Sequence, residues 1–232
     1  MIMKELVTVF AALAVAGAAV AADSNVVGYV NTDGENGFTV FAPMFIECNG
    51  TDTTLGMIKG DFDEWMDTLQ ILDDTLAAAT AYTWVDVNYD GKPVWSEDFV
   101  TDHSSVIIPR GAGVVISKAT AIIQCAGEVE VGNAVIPCDP GFTVLGNPTP
   151  VTIKLGDIGF IGLEEWMDTL QILDDRLAAA KAYTWVDVNF DGTPVWTEDF
   201  VTDYSADELA PGVGFVLSSM NGATVTFPAV TL

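Results

Sequence analysis

The stretch Ala81-Tyr82-Thr83-Trp84-Val85-Asp86-Val87-Asn88-Tyr89-Asp90-Gly91-Lys92-Pro93-Val94-Trp95-Ser96-Glu97-Asp98-Phe99-Val100 decides the fold. Residues with strand preference alternate on both sides of Asp90-Gly91, one of the strongest two-residue turn signals. Reversal at that step pairs Tyr89 with Lys92, Val87 with Val94, Asp86 with Trp95, Trp84 with Glu97 and Tyr82 with Phe99. One face then carries Tyr82, Trp84, Asp86, Trp95, Glu97 and Phe99, and the other Thr83, Val85, Val87, Val94, Ser96 and Asp98. Pro93 falls at a site that makes no ladder hydrogen bond.

The stretch occurs twice. Trp65 to Asp102 aligns with Trp166 to Asp203, and only five of the 38 positions differ: Thr75/Arg176, Thr80/Lys181, Tyr89/Phe190, Lys92/Thr193 and Ser96/Thr197. The changes Tyr89/Phe190 and Ser96/Thr197 fall on the face opposite the large aromatics. Gly37-Phe38-Thr39-Val40 matches Gly141-Phe142-Thr143-Val144, and Pro109-Arg110-Gly111-Ala112-Gly113 matches Ala210-Pro211-Gly212-Val213-Gly214 loosely. This is the pattern of a tandem duplication with units of ordinary domain size. The reading divides the chain into residues 1–22, 23–131 and 132–232.

Short apolar stretches recur between Gly, Pro, Asn and Asp, at Val26 to Val30, Phe38 to Phe41, Gly113 to Ser117 and Ala121 to Cys125. Such spacing predicts an all-β chain of two tandem antiparallel β-sandwich or barrel-like domains, with room for one short helix per repeat. The segment 64–79 reads two ways. Trp65, Leu69, Leu72 and Leu76 have helical spacing, whereas Thr68 to Leu72 reads as a strand ending at Asp73-Asp74. The strand reading is preferred, because every neighbouring element is a strand.

Asp86-Val87-Asn88-Tyr89-Asp90-Gly91 with Glu97 satisfies the D-x-N-x-D-G-x5-E letters of a calcium loop, as does Asp187-Val188-Asn189-Phe190-Asp191-Gly192 with Glu198. The metal candidates are therefore Asp86, Asn88, Asp90 and Glu97, with Asp187, Asn189, Asp191 and Glu198, and calcium is the expected cation. Pro93 and Pro194 lie where such a loop needs an amide. A plain hairpin without metal is the preferred reading.

All six tryptophans lie in the duplicated segment. Flat rings beside carboxylates and amides suit a sugar, whose C–H face stacks on the ring while its hydroxyls bond the polar groups. Tyr82, Trp84 and Trp95, with Tyr183, Trp185 and Trp196, are the ligand-binding candidates. The competing reading makes the same rings the core of a sandwich.

With 33 acidic and 8 basic side chains the net charge is −25, which excludes a protein that reads nucleic-acid phosphates and disfavours anionic membranes. At 50% apolar and 18% charged the chain has material for a core. Met1 to Ala22 reads as a secretory leader, with Lys4 before the apolar run and small residues at Ala19-Val20-Ala21-Ala22, so the mature chain is expected outside the cytoplasm without a membrane span. Cys48, Cys125 and Cys138 admit three single bridges; Cys125–Cys138, across an expected hairpin, is the first choice. With His103 as the sole histidine, and Tyr204 at its place in the second copy, nucleophile–histidine pairs and His-rich metal sites lack material. Enzymatic activity is not expected, and an acidic hydrolase trails the other readings.

Ser24-Asn25-Val26-Val27-Gly28-Tyr29-Val30-Asn31, Gly37-Phe38-Thr39-Val40, Asp67 to Leu72, Ala81-Tyr82-Thr83-Trp84 and the closing Pro-Gly-x-Gly resemble a class of secreted repeat proteins of environmental bacteria. The resemblance implies an extracellular β-rich module and no particular chemistry. Arg110 departs from the closing motif. The D-x-N-x-D-G letters also resemble dockerin-type calcium repeats, from which the spacing and the prolines separate this chain. The expectation is a non-catalytic secreted, periplasmic or cell-surface protein with a structural or adhesive role. It would self-associate or bind matrix or cell-surface components, with polysaccharide recognition as the alternative.

Overall fold

The computed structural model describes residues 27–33, 37–48, 52–118 and 122–230; the expected leader lies outside them. Strands and turns alternate through the described residues, and the chain is all-β and sandwich-like. The first half contains β1 (Val27–Asp33), β2 (Gly37–Phe41), β3 (Thr53–Thr54), β4 (Ile58–Gly60), β5 (Thr68–Leu72), β6 (Ala78–Val85), β7 (Val94–Ser96), β8 (Ile107–Ile108), β9 (Val114–Lys118) and β10 (Ile122–Glu128). The second contains β11 (Ala134–Cys138), β12 (Gly141–Gly146), β13 (Ile153–Lys154), β14 (Gly159–Ile161), β15 (Thr169–Leu173), β16 (Ala179–Val186), β17 (Val195–Thr197), β18 (Glu208–Leu209), β19 (Gly214–Ser219) and β20 (Ala223–Phe227).

Each half builds the same three sheets: β2-β9-β5-β6-β7, β1-β10-β4 and β3-β8 in the first, and β12-β19-β15-β16-β17, β11-β20-β14 and β13-β18 in the second. The first core gathers Leu69, Trp84, Trp95 and Ile116 of the larger sheet against Ile58, Ile123 and Cys125 of the smaller. The second gathers Leu170, Trp196 and Leu217 against Ile136, Val225 and Phe227. A single turn of 3-10 helix per half, Leu55–Met57 and Leu155–Asp157, precedes the segment whose spacing left room for a short helix.

Segment 64–79 is a strand, as preferred, at Thr68–Leu72. The helical spacing arises because Trp65 and Leu76, the outer members of the series, occupy turns with φ of 67° and 62° on either side of that strand. The β6–β7 hairpin forms two residues out of the expected register: Thr83 pairs with Ser96, Trp84 with Trp95 and Val85 with Val94. A slip of two preserves the alternation, so Tyr82, Trp84 and Trp95 still share the core face. The reversal itself is a wider loop than Asp90-Gly91 alone. Asp86 sets it, because its carboxylate accepts the amides of Asn88 and Asp90 at 3.2 Å and of Gly91 at 2.6 Å. Side chains that bond their own backbone in this way compete with ladder pairing.

The two halves meet through contacts that are repeated with the roles exchanged. Phe38 N donates to Asp175 O at 2.9 Å and Phe142 N to Asp74 O at 3.0 Å; Ala42 N donates to Gly212 O and Gly146 N to Gly111 O. This explains the closing Gly-x-Gly. A Cβ on Gly214 would lie 2.3 Å from Val40 Cγ1, so only glycine admits the neighbouring half. Arg110 stands where the second half has Pro211 because it grips the connection, donating to Gly132 O at 2.9 Å and Glu130 O at 2.8 Å.

The cysteine expectation is corrected. All three are free, with Cys125 in the first core and Cys138 in the second. Strands β10 and β11 belong to different sheets, so no hairpin brings the two thiols together.

Candidate functional site

Two turns per half leave the sheet and meet outside the core. The first begins at a buried carboxylate: Asp67 accepts the amide of Asp63 at 2.6 Å, while Asp67 N donates to Asp63 O. That closes a turn around Trp65, whose amide donates to Trp84 O at 2.9 Å. In the second half Asp168 accepts the amides of Glu164 and Met220, both at 2.8 Å, and Trp166 N donates to Trp185 O.

The second turn is built by Asp98. Its carboxylate accepts the amides of Val100 at 3.0 Å and Thr101 at 2.7 Å, and hydroxyls from Thr101 and Ser96. The Thr101 amide first, then that of Val100, hold the Asp98 carboxyl far below the usual carboxylate range. Asp199 repeats the arrangement, and the amides of Thr202 and Val201 bring its pKa down to about 2. Ser96 and Thr197 point away from the aromatic core yet are fully buried, so the outer face of the sheet is covered beside these turns.

The two turns present a pair of stacked rings. Trp65 and Phe99 lie 5.7 Å apart with their planes 24° from parallel, and Trp166 and Phe200 repeat this at 5.7 Å and 18°. About half of each ring's residue is exposed, and Met66 and Val100 beside them are 75% exposed. All four rings sit on residues with φ between 63° and 67°. A bulky side chain in that left-handed region costs about 1–2 kcal/mol relative to glycine. The acidic side chains Glu64, Glu97 and Asp102 flank the first pair in sequence and are exposed.

The expected ligand-binding rings lie mostly in the core. Tyr82, Trp84, Trp95, Tyr183 and Trp196 are buried, and Trp185 packs against the second core. Trp84 and Trp95 contact one another and Phe62 at ring separations of 5.0 to 5.4 Å, and Lys59 Nζ lies over the Trp84 ring at 5.3 Å, so both rings are spent on contacts within the protein. Phe99, placed by the simple hairpin on the core face, is instead half-exposed in its own turn.

The calcium loops are assembled in part. Asp86 and Asp187 are occupied by loop amides, and Asp90 and Asp191 accept the amides of Lys92 and Thr193. Asn88 and Asn189 are exposed at the loop tips. The β6–β7 register puts Glu97 level with Tyr82, four residues and about 13 Å along the strand from Asp86, and Glu198 stands likewise in the second half. Among the described residues no group of three His, Cys, Asp or Glu is placed to hold a metal ion. His103 lies against the Tyr82 ring at 5.5 Å, with its Nδ1 3.0 Å from Thr101 O.

Trp65, Phe99, Trp166 and Phe200 escaped the sequence reading as a site. Their one signal was identity between the copies in segments flanked by acids, a signal shared with the core tryptophans. Comparison with protein-family models, with curated proteins and with solved structures finds no match. No helix among the described residues is long and apolar enough to cross a membrane.

Proposed function

We propose that this chain is a non-catalytic secreted or cell-surface β-repeat protein with a structural or adhesive role, and that the paired rings are its contact elements. One observation carries the reading: strained turns expose the same stacked aromatic pair in both halves. Apolar groups held in water at a backbone cost point to a partner that covers them. Two such sites on one chain suit adhesion, since linked weak contacts gain strength from effective concentration. The single histidine, whose Nδ1 lies 3.0 Å from a backbone carbonyl oxygen and whose ring packs on a tyrosine, supports the non-catalytic part of the reading.

Polysaccharide is the second reading, moved from the buried rings to the exposed ones, because half-exposed rings near carboxylates have the chemistry to stack a sugar. Calcium has a smaller part. Asp86, Asn88 and Asp90, without the distant glutamate, suit a weak surface site that neutralises charge, in the millimolar range of extracellular modules.

Adsorption of the full chain to cellulose, chitin and protein-coated sensors tests the reading. The variant Trp65→Ala/Phe99→Ala/Trp166→Ala/Phe200→Ala should be retained about tenfold less on at least one surface. Equal retention on all of them, or turnover of a glycoside or peptide substrate, would remove the proposal.

A further inference from the structure

The turns that carry each exposed ring pair are acidic. The turn Asp61 to Asp67 and the turn Glu97 to Asp102 contain no lysine or arginine, and neither do Gly162 to Asp168 and Glu198 to Asp203. Glu64, Glu97 and Asp102 are exposed in the turns of the first pair, with Lys59 close enough to Asp102 to act on its charge, and Glu165, Glu198 and Asp203 in those of the second, with Lys181 near Glu198. Each patch is therefore apolar at its centre, and acids outnumber bases in the turns around it.

That combination selects a partner. A second copy of this chain, at −25, would bring acid against acid, and polyanions are repelled in the same way. A neutral glycan would use the rings but leave Met66 and Val100, both 75% exposed, facing hydroxyl groups they cannot bond. Lysine and arginine answer both parts. Their aliphatic stems pack on thioether, isopropyl and ring surfaces, and their cationic heads interact with ring faces and reach nearby carboxylates.

We infer that the Trp65–Phe99 and Trp166–Phe200 patches dock a basic polypeptide in which lysine or arginine alternates with apolar residues. This rests on the adhesive reading above and names the partner it requires. The stems lie on the rings and on Met66 or Met167, and the acids of the turns hold the charged heads. Two patches on one chain let a long basic segment, or two copies of a short one, be held together.

The test uses the purified full chain and a synthetic peptide of alternating arginine and leucine, with the glutamate–leucine peptide, cellohexaose and chitohexaose as comparisons. Binding is followed by calorimetry and tryptophan emission. The basic peptide should bind about tenfold more tightly to the wild type than to the four-alanine variant, which keeps every charge. Should that variant melt early, Trp65→Gly/Trp166→Gly replaces it, because glycine suits the φ of 67° and 66° at those positions. Equal affinity of wild type and ring variant for the basic peptide would overturn the inference, since charge alone would then explain binding. Ring-dependent binding of an oligosaccharide and not of the basic peptide would overturn the basic partner while leaving the adhesive reading intact.

Discussion

The indole Nε1 of Trp95 donates to the carbonyl oxygen of Ile58 at 3.0 Å, tying the larger sheet of the first half to the smaller across the core. At the same place in the second half, Trp196 Nε1 is buried with no hydrogen-bond partner among the described residues. Trp95→Phe should therefore cost about 1–3 kcal/mol, by leaving the Ile58 carbonyl unsatisfied and opening a small void. Trp196→Phe removes a buried donor that has no partner and should cost less. Denaturant melts of the two variants check this, and a larger loss for Trp196→Phe would contradict the pairing.

Asp67 and Asp168 hold the ring-bearing turns from beneath. Asp168→Ala strands the amides of Glu164 and Met220 and should destabilise by about 2–4 kcal/mol, with more mobile Trp166 fluorescence. Glu164→Ala, an exposed neighbour that contributes its backbone amide to Asp168, should change stability by less than about 0.5 kcal/mol.

The Phe99 and Phe200 turns should resist acid to an unusual degree. Asp199 has its folded pKa depressed to about 2, against about 3.9 in an unfolded chain. A depressed carboxylate contributes stability fully above the unfolded value and loses it as pH falls toward the folded one. The turn should thus persist at pH 4 and loosen between pH 4 and 2. Carbon-13 titration of the Asp199 carboxyl, with its midpoint near 2, is the check; a midpoint near 4 would mean that the amide bonds are absent in solution.

The contact between halves depends on Gly37 and its counterpart Gly141. Gly37 has φ +144°, and a Cβ there would lie 2.3 Å from Asp175 O, the acceptor of Phe38 N. Gly37→Ala should cost about 1–3 kcal/mol through strain and loss of that bond. Differential scanning calorimetry should show the two halves melting less cooperatively; an unchanged single transition would count against coupling through this contact.

Calcium should raise the melting midpoint modestly. For a dissociation constant of about 1 mM, 10 mM calcium contributes about 1.4 kcal/mol per site. The shift should disappear in Asp86→Asn/Asp187→Asn and be absent in sodium chloride of equal ionic strength. No shift in the wild type would remove calcium from the functional proposal.

Much of this architecture is written in period-two alternation. It places Tyr82, Trp84 and Trp95 on one face, and a register slip of two residues leaves those faces unchanged. The loop that replaced the simple turn was less legible, because whether Asp86 bonds water or its own backbone depends on the conformation that the backbone adopts. Trp65 illustrates the same limit. In letters it resembles a core residue, and its exposure follows from a left-handed turn closed by the buried Asp67.

By itself the sequence determined what is local or periodic: strand character, which residues share a face of each hairpin, a recurring unit and an acidic surface. The tertiary structure decided what depends on meeting distant chain: which aromatics are covered, that Cys125 and Cys138 lie in separate cores, how far Glu97 stands from Asp86, and why Gly214 must lack a side chain. Alternation is dictated by the geometry of one strand, whereas burial and close approach depend on segments far apart in the chain, whose positions are set only when both halves have packed.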